Sequence, residues 1–162
     1  MANPPPSHYP DIGELGEDLV AQWLHSTGWR ILHRRFSSRW GEIDIIAQLD
    51  EKQPFANQLP QVAFVEVKTR SQGNWDAGGK SAITRQKQAK IGRTATIFLA
   101  EYPEKADYLC RFDVAIVYCR QISKQQTDMT LTSEALASLS ADRYQLYLQE
   151  YLPGAFDCAI DS

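Results

Sequence analysis

The sequence predicts an α/β domain in which helices flank a mixed β-sheet, in the order α-β-β-β-α-β with a further helix near the C-terminus. Three observations carry the prediction. Apolar residues after Ile12 recur at helical spacing, three strand-length apolar runs lie between Trp29 and Arg70, and a second helical stretch precedes a fourth apolar run.

Residues 1–11 are rich in proline and are expected to form a disordered tail. The first helix follows from Ile12, Leu15, Leu19, Val20, Trp23 and Leu24, with Gly28 as its stop. Glu17 lies one turn before Val20, at the edge of the buried stripe. WRILHRRF (29–36) and EIDIIAQL (42–49) read as an antiparallel hairpin around the polar turn SSRWG. DEKQPFANQLPQ (50–61) is a loop with two prolines, and QVAFVEVKTR is a third strand. After SQGNWDAGGK, residues 81–101 read as a helix that buries Ile83, Ile91, Ala95, Phe98 and Leu99. CRFDVAIVYC (110–119) is the fourth strand. Beyond Arg120 the chain turns polar, and ADRYQLYLQEYL (141–152) places Tyr144, Leu148, Tyr151 and Leu152 at helical spacing. One domain over 12–120 and a C-terminal extension over 121–162 are therefore expected.

A chain of 162 residues with 43% hydrophobic and 23% charged content fits a single soluble domain. No apolar run approaches the ~18 residues of a membrane span, and MANPPPSHYP has none of the pattern of a secretory signal. Cys110, Cys119 and Cys158 are too few and too irregular for a disulfide framework or a zinc site, so reduced thiols in a cytoplasmic protein are expected. A net charge of −3 argues, taken alone, against nucleic acid. The distribution argues otherwise. Arg30, Arg34, Arg35 and Arg39 fall between Trp29 and Trp40 with no acid among them, and Lys68, Arg70, Lys80, Arg85, Lys87, Lys90 and Arg93 face a single Asp76. Segregated charge of this kind attracts phosphate locally. Arg35, Arg39, Arg70, Arg85, Lys87 and Lys90 are the candidate nucleic-acid contacts.

Within AFVEVKTR (63–70), alternation sends Glu66 and Lys68 to the face of Phe64 and sends Val65 and Val67 to the other. In the preceding strand Asp44 shares a face with Glu42 and Ile46. If the two strands are neighbours, Asp44 and Glu66 converge. Two carboxylates held together repel, and a divalent cation relieves them; hard oxygen donors with an incomplete shell suit Mg2+ or Mn2+. A lysine one pleat away orients or deprotonates a water, or stabilises charge on a phosphoryl group. Glu17 supplies a further carboxylate. Taken singly, each feature has an ordinary reading: E-x-K as a weak surface pair, Glu17 as a helix-dipole partner, Asp113 as a structural acid, Gln86 and Lys87 as a solvated helix face. Their order is what points to metal-dependent phosphodiester hydrolysis.

GEDLVAQWLHSTGWRIL, GEIDIIA, FVEVKTR and CRFDVAIV together resemble the YraN family of small bacterial proteins, within the PD-(D/E)xK restriction-endonuclease-like superfamily. That family is itself similar to archaeal Holliday-junction resolvases. The resemblance spans about two thirds of the chain, from Gly13 to Val117. It implies a restriction-endonuclease-like fold, Asp44 and Glu66 as metal ligands, Glu17 as an auxiliary ligand, Lys68 as the catalytic lysine, and a weaker contribution from Gln86 or Lys87. It also implies DNA, in branched or repair intermediates, as substrate, and raises a homodimer as the working form. Two departures stand out: a long loop between Asp44 and Glu66, and a segment after Arg120 with no counterpart. Two other classes stay open on sequence grounds: a nucleic-acid-binding module without efficient cleavage, and a protein-interaction adaptor that uses the C-terminal segment.

Overall fold

The computed structural model describes residues 11–50, 60–71, 83–122 and 135–158. The expected order holds through the fourth strand: α1 (Ile12–Ser26), β1 (Arg30–Ser38), β2 (Gly41–Leu49), β3 (Gln61–Ser71), α2 (Arg85–Glu101) and β4 (Leu109–Gln121). Most of the expected tail, most of the loop over 50–61 and the start expected for the second helix lie outside the described residues. Asp11, the last residue of that tail, is the N-cap of α1 and accepts a hydrogen bond from Gly13 N at 2.9 Å. Thr84 caps α2 in the same way through Lys87 N.

The C-terminal helix expected over 141–152 is a strand. β5 (Ala137–Ala141) and β6 (Tyr144–Phe156) form a hairpin, and the six strands run in the order β1-β2-β3-β4-β6-β5. The cause is position in the sheet. β6 is paired on both sides, with β4 and β5, and buries four successive residues, Gln145 to Leu148. Apolar groups on both faces blur the period of two, so Tyr144, Leu148 and Tyr151 mimic a helical stripe. Within the segment expected as an extension, the described strands β5 and β6 continue the sheet beyond β4.

β3 and β4 pair in parallel across the α2 crossover, and the other strand pairs are antiparallel. Each face has its own core. α1 places Leu19, Val20 and Leu24 on Ile45, Ala47, Val65, Val117, Leu146 and Leu148. α2 places Ile91, Ala95 and Phe98 on Ile43, Ile46, Phe64 and Phe112. α1 approaches β3 so closely that a Cβ at Gly16 would collide with the Thr69 hydroxyl, which fixes the residue beside Glu17 as glycine. Among the described residues, no helix is long and apolar enough to cross a membrane.

Asp113 is fully buried where β4 bulges against β6. It accepts hydrogen bonds from Arg111 Nε (3.0 Å), Tyr151 Oη (2.6 Å) and the amide of Gly154 (2.9 Å), the last a left-handed residue at φ 59°. Burial and the Asp113 charge push the Tyr151 phenol up, so it stays a donor. The ordinary reading of this acid is therefore the right one: it clamps the end of β6. Asp113→Ala, which strands a phenol and an amide and removes the carboxylate partner of Arg111, is expected to cost about 3 kcal/mol in urea denaturation. A loss below about 1 kcal/mol would show that water replaces the carboxylate.

Candidate active site

The β2–β3 ladder runs from Leu49↔Gln61 to Ile45↔Val65 and stops there. One step further along the same register, Asp44 faces Glu66. In place of a backbone acceptor, Asp44 Oδ2 takes the amide proton of Val67 at 2.8 Å. The two strands part at this point, and side chains from both layers enter the opening: Glu17 from α1 and Lys87 from α2.

Glu17 is buried and carries two guanidiniums, Arg35 Nε at 2.9 Å and Arg34 at 3.6 Å. Alternation would send Arg34 and Arg35 to opposite faces. The backbone of Arg35 is left-handed at φ 55°, which breaks the alternation and brings both onto α1. Their charge stabilises an acid that would otherwise be costly to bury. Oxygens of Glu17, Glu42 and Asp44 all lie within 4.8 Å of one another. Glu42 is a candidate that the motif alone does not single out; its place two residues before Asp44, on one strand face, is the signal.

Glu66 is buried and lies on the other side of Asp44. Its Oε1 is held by Lys87 Nζ at 2.7 Å. Asp44 is pushed up to about 8, by burial first and then by the charges of Glu66 and Glu17, against the pull of the Val67 amide. Lys68 is lowered by burial and by the adjacent Lys87 ammonium, with Glu66 and Asp44 acting the other way. Burial lowers Lys87 too, but its hydrogen bond and ion pair with Glu66 outweigh that and leave it raised. The geometry thus gathers Glu17, Asp44, Glu66 and Lys68 in one place with Lys87, of the two helix candidates, on Glu66, and adds Glu42.

The remaining basic candidates divide. Arg35 is committed to Glu17, Lys87 to Glu66, and Arg70 is half-buried. Arg39, Arg85, Gln86 and Lys90 are exposed. The donors present, three clustered carboxylates beside a fourth, are hard oxygens that suit Mg2+ or Mn2+ and offer no thiolate or imidazole to a softer metal. Burial and the neighbouring carboxylates Glu66 and Glu17 both oppose ionisation of Asp44.

A family model described as uncharacterised protein family UPF0102 matches residues 16–117, the part of the chain that holds all of these side chains. A UPF0102 protein of Trichormus variabilis is 62% identical over 151 residues, covering 93% of this chain and 97% of its own. One from a Nostoc species is 59% identical over 150 residues, covering 93% and 96%. One from a Synechocystis species is 40% identical over 153 residues, covering 90% and 97%.

Proposed function

We propose that this chain, which belongs to uncharacterised protein family UPF0102, is a metal-dependent nuclease of the PD-(D/E)xK type that hydrolyses phosphodiester bonds in DNA. The observation that carries the reading is the opening between β2 and β3, where Asp44 stands between Glu17 and Glu66 with Lys68 one pleat on. A structural role alone gives no reason to concentrate acids at a gap in a sheet, since unneeded buried carboxylates destabilise.

Asp44 and Glu66 would hold Mg2+ or Mn2+, with Glu17 and Glu42 completing or positioning the set. The ion would polarise the phosphate and acidify water. Lys68 serves the phosphate directly: its ammonium group hydrogen-bonds a non-bridging oxygen as negative charge builds there, and orients the attacking water. Lys87 is a positioning residue. It fixes one oxygen of Glu66 and, as a second cation, keeps Lys68 from being held too firmly by the carboxylates. Arg34 and Arg35 set the rotamer of Glu17. Arg39, Arg85 and Lys90 are exposed cations for the phosphate backbone.

The test is a calorimetric titration with Mn2+ beside a cleavage assay on single-stranded, duplex, nicked and branched DNA with Mg2+ or Mn2+. Wild type is expected to bind the ion and cut at least one of these. Asp44→Asn is expected to do neither. Equal Mn2+ binding by the two proteins, or a wild type that leaves every substrate intact, would remove the reading.

A further inference from the structure

We infer that the groove between the β1–β2 turn and the outer flank of α2 binds an unpaired nucleotide segment, stacking a base on Trp40. The groove has a volume of about 590 Å3 and is lined by Trp40, Arg85, Arg93 and Gly92, among others. The guanidiniums of Arg39 and Arg93 lie 4.8 Å and 4.3 Å from the indole centroid. Among the described residues, no ion pair joins Arg39, Arg85 or Arg93 to a carboxylate, although Asp157 contributes an acid to the same lining. Two guanidiniums over one half-buried indole, with Arg85 in the same lining and none of the three in an ion pair among the described residues, form a surface complementary to phosphate and base together.

The turn is held rigidly enough to act as a platform. Ser38 Oγ accepts from Trp40 N at 3.0 Å and pairs at 2.7 Å with Thr94 Oγ1, which is buried in α2. A base enters by replacing one stacked guanidinium, and the displaced arginine takes the adjoining phosphate. Duplex DNA keeps its base faces stacked on one another and cannot use the indole, so the occupant is a single strand, a flap or an unpaired junction segment. Groove and acidic site share two elements: Trp40 precedes Glu42 by one pleat, and Arg85 opens the helical turn that carries Lys87. The inference rests on the nuclease reading for the strand's path onward to the carboxylates, and on the groove alone for binding.

The experiment measures fluorescence anisotropy of labelled oligo(dT), oligo(U) and a duplex of equal length in chelator, so that nothing is cut. Wild type is expected to bind single strands more tightly than duplex. Trp40→Ala is expected to weaken that binding by about tenfold to a hundredfold, with Trp40→Phe restoring most of it. Arg93→Gln, at an exposed position, is expected to weaken binding and reduce the salt slope by about one. No single-strand binding by wild type, equal binding of duplex, or unchanged affinity in Arg93→Gln and a folded Trp40→Ala would each overturn the inference. Asp44→Asn separates the two readings: it should keep single-strand binding while losing cleavage. If it keeps both, the nuclease assignment fails while the groove stands.

Discussion

Lys68→Ala is expected to slow DNA cleavage by about a thousandfold at saturating Mn2+ and to leave Mn2+ affinity little changed. The separation follows from position. Lys68 shares the Glu66 face of β3 but is a cation, so it contributes to the charge of the reacting phosphate and nothing to the ion's coordination. Burial, which strips water from the ammonium group, and the neighbouring Lys87 together lower its pKa. Single-turnover rates with calorimetry on the same variant make the measurement. A rate within about tenfold of wild type would move the catalytic cation elsewhere, with Lys87 as the next candidate.

How much of this was legible in the sequence follows from what each element buries. α1, α2 and the first four strands could be read because each shows its period or its strand-length apolar run plainly: Leu19, Val20 and Leu24 on one helix, Ile91, Ala95 and Phe98 on the other, Val62 to Val65 as an apolar run. The C-terminal hairpin could not be read in the same way. β6 is covered on both faces, and its turn at Asp142–Arg143 carries no glycine although Asp142 is left-handed at φ 52°. The alternation in Ala137, Leu139 and Ala141 was the available clue, five residues long. In the site, the pairing of Asp44 with Glu66 followed from the order of motifs and the hairpin register. The turn of Arg35 onto Glu17 did not, because a left-handed arginine has no sequence signature. The Lys87–Glu66 ion pair depends on where a crossover helix lands, which spacing within the helix does not determine.

Asp44→Asn is expected to be more stable than wild type in metal-free buffer, and increasingly so as pH rises. Asp44 is raised from 3.8 to about 8 in the folded protein. Below the unfolded value both states hold the proton and the wild type is at its most stable. Between the two values folding must keep a proton that the unfolded chain has lost, so stability falls with rising pH and levels off above about 8. The whole interval is worth about 6 kcal/mol. The asparagine amide accepts from Val67 N and donates to Glu17 as the protonated acid does, without titrating. Urea denaturation of both proteins at about pH 5 and about pH 9 reads the difference. A gap that stays flat across that range, or favours the wild type, would show that burial and its neighbours do not hold Asp44 raised. Saturating Mn2+ should restore about 3 kcal/mol to the wild type alone.

The carboxylate that stands in for a backbone acceptor at Val67 ties two properties to one codon. Most replacements at position 44 leave a strand amide unpaired at the mouth of the sheet, and so damage folding along with chemistry. Asparagine is the exception: it keeps the amide bonded and relieves the repulsion. One base change converts an aspartate codon into an asparagine codon. If the proposed activity holds, mutational decay of this protein thus has a short path that ends in a better-folded molecule without that activity, and such a molecule would retain its Trp40 groove.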